Sequence, residues 1–125
     1  MAYKILIADD EALIRLLIEQ TLEDIEDQGV EILTADNGEK ALQVARLEKP
    51  DLIFLDVMMP VIDGFTVCRD LKQDPQTNHA YVVLLTAKGQ EVDQQRGLQV
   101  GADVYMTKPF NPDELFDLAA KVLGL

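Results

Sequence analysis

Four consecutive apolar residues, Leu52 to Leu55, run directly into a carboxylate, Asp56. A segment with no polar side to turn toward water is covered on both faces, which suits an inner strand of a parallel sheet flanked by helices. Few folds accept such a strand. In open parallel α/β sheets the carboxyl ends of the strands are where loops are free to carry ligands and chemistry, and Asp56 sits at such an end. A lone acid after a strand is ordinarily a turn or cap residue, so its meaning depends on what the other strands bring to the same edge.

Lys4 to Ala8 repeats the arrangement, since Ile5, Leu6, Ile7 and Ala8 end in Asp9 and Asp10. Leu13, Ile14, Leu17, Ile18 and Leu22 then recur at helical spacing, predicting an amphipathic helix that Asp27, Gln28 and Gly29 end. Val30 to Ala35 alternates in part, with Glu31 and Thr34 outward, as an edge strand does. Asp36 or Asn37 caps the next helix, with Glu39 placed for a capping box from Asp36, Ala41, Leu42 and Ala45 inward, and Lys49 and Pro50 as the stop. Past Asp56, Met58 to Gly64 is a loop, and Asp63 caps a helix that buries Phe65, Cys68 and Leu71.

Tyr81 to Leu85 is another fully apolar strand, stopping at Thr86, Ala87, Lys88 and Gly89. Gln90 to Val100 is weakly helical: Gly97 interrupts it, and Val92 and Leu98 are its strong apolar positions before Val100, so this helix is expected to be the most mobile. Gly101 ends it in a left-handed conformation, and Val104 to Met106 makes a brief last strand before Thr107, Lys108 and Pro109. Asn111, Pro112, Asp113 and Glu114 form a strong helix start, with Leu115, Leu118, Ala119, Val122 and Leu123 on the inner side.

Five strands alternating with five helices, without internal repeats or linker-like stretches, predict one doubly wound α/β domain over residues 1–125. A chain of this length buries roughly two thirds of its unfolded surface and needs no staples. The three most apolar strands belong in the centre, which gives the order 2-1-3-4-5 and a topological switch between strands 1 and 3, where Asp9, Asp10 and Asp56 converge. The single cysteine, Cys68, excludes an internal disulfide framework and fits a packed thiol in a reducing compartment. The N-terminal apolar run is too short for a signal peptide or a membrane span, so a cytoplasmic location is expected. With 11 Lys and Arg against 23 Asp and Glu, the formal charge of −12 opposes direct binding to nucleic acid or anionic lipid, and protein partners are expected.

Carboxylates converging at strand ends repel, each pair some 4 Å apart costing about 4 kcal/mol at an effective dielectric near 20. A hard divalent cation offsets this, and Mg2+ characteristically takes one or two carboxylates while leaving room for a phosphate oxygen. Lys108, after the last strand, brings a second positive charge to the same edge, and Thr86 brings a hydroxyl. Taken singly, each has an ordinary reading as a solvated lysine or a turn residue. Their coincidence at one edge carries the argument.

With ILIADDE, LIFLDVMMPVIDG, VVLLTAKG and GADVYMTKPF in hand, the chain resembles the receiver domain of two-component response regulators, with a flavodoxin-like fold, from Lys4 to about Leu123. The resemblance implies a signalling switch rather than a conventional enzyme. Asp56 would accept a phosphoryl group from a sensor histidine kinase or histidine phosphotransfer protein and later lose it to water. It implies Mg2+ held by Asp10, Asp56 and the Met58 carbonyl, with Asp9 acting through a bound water, and Lys108 paired with a phosphoryl oxygen. Thr86 and the Ala87 N–H would reach the new phosphoryl group, and Tyr105 would swing inward, shifting the face built from the last two helices and the last strand to control a downstream effector protein. The Lys108–Pro109 bond would be cis. Met58 and Lys88 occupy positions that set the lifetime of the phosphoryl group, and neither positions water well, so slow self-dephosphorylation is expected. The last helix carries Asp113, Glu114 and Asp117 with Lys121 as its one base, which argues against an ion-paired dimer there; a monomer or weak dimer is expected.

Three rivals remain at this point. A flavin mononucleotide binder shares the architecture, but Asp9 and Asp10 would repel its phosphate. An aspartyl-phosphate hydrolase of the dehalogenase type would have an acid where Met58 stands. A degenerate receiver would act as an interaction module alone.

Overall fold

Covering both faces of the apolar strands requires helices on each side of the sheet. The structure, a computed structural model, describes residues 2–87 and 91–125, with residues 91–94 described through their backbone alone; Lys88 and the Val92 side chain therefore lie outside the described residues. In chain order the elements are β1 (Lys4–Ala8), α1 (Ala12–Thr21), α2 (Glu23–Glu26), β2 (Glu31–Ala35), α3 (Gly38–Glu48), β3 (Leu52–Asp56), α4 (Gly64–Gln73), β4 (Tyr81–Ala87), α5 (Glu91–Gln99), β5 (Val104–Lys108) and α6 (Pro112–Leu123). The strands form one parallel sheet of order β2-β1-β3-β4-β5, as the hydrophobicity of the strands predicts.

The pleat sends alternate residues to opposite faces. Leu6, Ile53, Leu55, Val82 and Leu84 pack with Ala41, Ala45, Phe65, Cys68 and Leu71 of α3 and α4. Ile5, Ile7, Phe54, Val83 and Leu85 pack on the other side with Ile18, Leu22 and Ile25 and with Leu115 and Ala119 of α6. Each such Leu or Ile contributes about 1.5–3 kcal/mol on burial, and this two-sided core fixes the strand ends that carry the site. No described helix is long and apolar enough to cross a membrane.

Among the described residues six helices stand where five are expected. The first helix is broken at Leu22 (φ −96°, ψ 8°), whose N–H is shared between the Ile18 and Glu19 carbonyls, and the chain resumes as the single turn α2 so that Ile25 also reaches the core. The inner row of α1 is Ile14, Ile18 and Leu22; Leu13 (80% exposed) and Leu17 face outward because α1 is covered along one stripe. Asn37 caps α3 by accepting from Lys40 N–H at 2.8 Å, so the capping box expected from Asp36 and Glu39 is replaced by a single Asn cap. Asp63 and Asn111 cap α4 and α6 as expected. Among the α5 residues whose side chains are described, Gly97 is buried, while Leu98 is 77% exposed.

Two strands are longer than the apolar runs suggest. β4 continues through Thr86 and Ala87, and β5 through Thr107 and Lys108, because Thr86 pairs with Thr107 and Ala87 with Lys108. Backbone pairing holds these polar residues in the sheet where side-chain pattern alone would end it. The consequence is functional: Thr86, Ala87 and Lys108 stand on the ladder rather than in loops.

Candidate functional site

Asp56 is the last residue of β3, in register with Leu85, and its side chain is almost fully buried. The chain leaves it along a tightly held path. Val57 N–H donates to the Leu85 carbonyl and Gly64 N–H to the Val57 carbonyl, both at 2.9 Å. A Cβ on Gly64 would overlap the Asp56 carbonyl oxygen, so this first residue of α4 has to be glycine for the helix to close on the strand end. Between them, Ile62 N–H donates to the Pro60 carbonyl at 2.9 Å around Val61, whose φ of 73° is strained for a β-branched residue.

Carboxylate oxygens of Asp9, Asp10 and Asp56 lie within 4.8 Å of one another. Asp9 is wholly buried and engaged on both oxygens: Oδ1 accepts from Glu11 N–H at 2.9 Å and Oδ2 from Lys108 Nζ at 3.1 Å. Lys108 Nζ also lies 3.2 Å from Asp56 Oδ1, which accepts from Met58 N–H at the same distance. Asp10 is the solvent-facing member of the three. Asp10, Asp56, Met58, Ala87 and Lys108 line a crevice of about 510 Å³ together with Glu11, Ile14 and Pro109.

Burial, and then the neighbouring Asp9 charge, push the Asp56 carboxyl up to about 6 against the pull of Lys108 and Met58 N–H. Burial works against the Lys108 ammonium too, but its hydrogen bond to Asp9 and the charges of Asp56 and Asp9 outweigh this and hold its pKa above the ordinary lysine value. Among the described residues, Lys108 is the cation that reaches the carboxylates of Asp9 and Asp56, which with Asp10 leave the cluster short of positive charge. Clustered hard oxygen donors, one of them open to solvent, fit a divalent cation such as Mg2+.

Thr86 is buried at the end of β4, next to Ala87 at the crevice wall. Tyr105 is half-buried on the α5 side of β5, away from the crevice. Met58 is 74% exposed at the crevice mouth. The Lys108–Pro109 peptide bond is cis. Two further residues, Arg15 and Glu11, also belong to the site. Arg15 Nη1 donates to the Asp9 backbone carbonyl at 2.8 Å, and Glu11 Oε1 lies 3.9 Å from Lys108 Nζ. Helical spacing turns Arg15 toward the first turn of α1, but no pattern in side-chain type signals a bond to a main-chain oxygen.

Known proteins resemble the chain along almost its whole length. The family model of the response regulator receiver domain matches residues 5–120. PhoP of Bacillus subtilis, the alkaline phosphatase synthesis transcriptional regulatory protein, is 49% identical over 115 residues, which cover 92% of this chain and 46% of that protein. The response regulator PleD of Caulobacter vibrioides is 46% identical over 93% of this chain and 25% of its own length. The chain thus spans less than half the length of these two relatives. Among solved structures, the chemotaxis response regulator CheY4 of Vibrio cholerae matches with a TM-score of 0.85 at 34% identity, over 98% of this chain and 99% of that one.

Proposed function

The chain belongs to the response regulator receiver domain family, a family of signalling switches, and on that premise we propose that Asp56 is its phosphoacceptor. The observation that carries this reading is the position of Asp56 at the end of β3, in reach of both the Lys108 ammonium and the Asp9–Asp10 pair. In the proposed transfer, a carboxylate oxygen of Asp56 attacks the phosphorus of a phosphohistidine on a sensor kinase or phosphotransfer protein. The O–P bond forms as the P–N bond breaks, and the electron pair of that bond leaves with the imidazole.

Bound by Asp10, Asp56 and the Met58 carbonyl, with Asp9 acting through water, Mg2+ would supply the charge that lets phosphoryl oxygens approach a carboxylate cluster. Lys108 pairs with a phosphoryl oxygen, exchanging its present carboxylate contacts for the incoming charge. Thr86 and the Ala87 N–H hold the new phosphoryl group, and Tyr105 moves inward behind Thr86, so that the α5, β5 and α6 face presents a changed surface to an effector. The exposed Met58 side chain at the crevice mouth supports slow hydrolysis, since it offers attacking water a thioether in place of an acid or amide. Phosphoryl loss within seconds at room temperature would contradict that. The charge of −12 argues that DNA, if PhoP-like output is involved, is reached through another segment or partner rather than through this domain. The buried Cys68 thiol, pushed up to about 11 by burial, is consistent with a cytoplasmic protein that uses no disulfide.

Incubation with acetyl phosphate or phosphoramidate and Mg2+, followed by intact-mass measurement, tests the assignment. A single phosphoryl adduct is expected, absent from Asp56→Asn and absent when Mg2+ is chelated. No adduct with either donor would favour a domain that acts through partner binding alone.

A further inference from the structure

Asp10 is the exposed acid of the cluster, so its place depends on the turn that carries it. That turn is held through Asp9. Its N–H donates to the Ala35 carbonyl at 3.1 Å, its Oδ1 accepts from Glu11 N–H, and its Oδ2 accepts from Lys108. These three contacts fix the Asp9 amide and side chain to the sheet and to the turn itself. The carbonyl is held from elsewhere, by Arg15 in the first turn of α1 at 2.8 Å.

A peptide group is planar from one Cα to the next, so a hydrogen bond that orients the Asp9 carbonyl orients the plane in which the Asp10 Cα lies. Arg15 is itself anchored, because its N–H donates to the Glu11 carbonyl at 3.1 Å as α1 begins. Glu11, at the N-cap of α1, makes no side-chain cap hydrogen bond, so the bond back from Arg15 ties the helix start to the turn before it. The side chain is half-buried, which limits the competition from water.

We propose that Arg15 is a positioning residue for the metal site: its bond to the Asp9 carbonyl sets the orientation of the Asp9–Asp10 peptide and presents the Asp10 carboxylate to the cation. This rests on the reading of the crevice as a Mg2+ site. Charge and position here predict opposite signs. A guanidinium beside a cation site repels the cation, so if charge were its main effect, removing it would tighten Mg2+ binding. If position dominates, removing it weakens binding.

The experiment compares the parent domain with Arg15→Met and Arg15→Lys in two measurements: calorimetric titration with Mg2+ alone, and amide hydrogen exchange at Glu11 N–H in metal-free protein. Arg15→Met is expected to raise the Kd for Mg2+ about fivefold to tenfold and to speed exchange at Glu11 by a similar factor, as loss of one charge-assisted hydrogen bond would. Arg15→Lys, which keeps a donor and the charge, is expected to recover most of both. An unchanged or tighter Kd in Arg15→Met overturns the proposal, as does weaker binding with Glu11 exchange unchanged. Should Arg15→Met fail to fold, Arg15→Gln is read by the same two measurements with the same outcomes deciding. If the parent itself binds no Mg2+, it is the functional reading that fails, and Glu11 exchange alone still decides whether Arg15 holds the turn.

Discussion

The crevice at the carboxyl ends of β1 and β3 and the face between α5 and β5 are built to different tolerances. At the crevice, atoms approach so closely that a methyl group cannot be added. Gly64 lies against the Asp56 carbonyl, Gly38 lies against the Ile62 carbonyl, and the intervening turn keeps Val61 at positive φ. The α5 face is open: Leu98 points to solvent, and a cavity of about 360 Å³ runs between Gly97, Ala102 and Tyr105. Within α5 the Arg96 guanidinium lies over the Phe65 ring, 4.3 Å from its centroid, and further contacts lie beyond the end of the helix. Lys72 Nζ meets Asp103 Oδ2 at 2.7 Å, and Cys68 Sγ faces the Val100 carbonyl at 3.7 Å. Phosphoryl transfer needs reacting groups held to a fraction of an ångström, whereas a surface that reports the outcome needs a second arrangement close in energy. On the proposed function, a face bordered by a cavity and open to solvent at Leu98 meets the second need.

If that contrast holds, the largest stability loss comes from adding one methyl group at the crevice. In Gly64→Ala the new Cβ meets backbone atoms of Asp56 and Val57, which cannot turn aside as a side chain does. The expected cost is about 4 kcal/mol in urea unfolding, at the upper end for a single substitution. A loss under about 1 kcal/mol would mean that the loop after Asp56 yields easily and that the crevice is no more rigid than the α5 face.

The next effect has the opposite sign. The folded protein raises the Asp56 carboxyl from 3.8 to about 6, so it holds this proton more tightly than the unfolded chain does. The stability contributed by this group is whole below the unfolded value and is lost as pH rises through 6, up to about 3 kcal/mol in all. Asp56→Asn removes that loss. In Mg2+-free buffer the variant should be more stable than the parent by about 3 kcal/mol at neutral pH, with the gap closing toward pH 4. A variant less stable than the parent at neutral pH would mean that the ion pair with Lys108 outweighs the burial of the charge. The crevice would then be stabilising in its own right rather than carried by the core beneath it.

The inner strands are legible because β1, β3 and β4 are apolar on successive residues, a pattern that two-sided burial alone explains, and their polar termini locate Asp9, Asp10, Asp56 and Thr86 at one edge, to which the end of β5 adds Lys108. Other features are not legible for a shared cause. Whether α1 runs straight or breaks at Leu22, and which side of α5 meets the sheet, depends on where neighbouring elements sit, and hydrophobicity is blind to that. The lengths of β4 and β5 depend on their pairing with each other. Arg15 was hidden because its partner is a main-chain carbonyl, and Val61 because residue type gives no sign of a positive φ.

Gly97 gives the smallest expected effect, and with it the direct probe of the α5 side. Exchanging Gly for Ala inside a helix gains about 1 kcal/mol from propensity. Against this, a Cβ at Gly97 would stand 3.1 Å from Leu84 Cδ1 and 3.7 Å from Tyr105 Cδ2. The first distance is tight, but it involves the terminal methyl of a side chain rather than backbone and asks it to give by about a few tenths of an ångström, and the second is ordinary contact. The two terms nearly cancel, and Gly97→Ala should change stability by no more than about 0.5 kcal/mol in urea unfolding. A loss as large as that of Gly64→Ala would show α5 locked against β4 and β5 as tightly as α4 is locked against Asp56. A face so fixed would have no second arrangement within reach, and Tyr105 could not serve as its moving part.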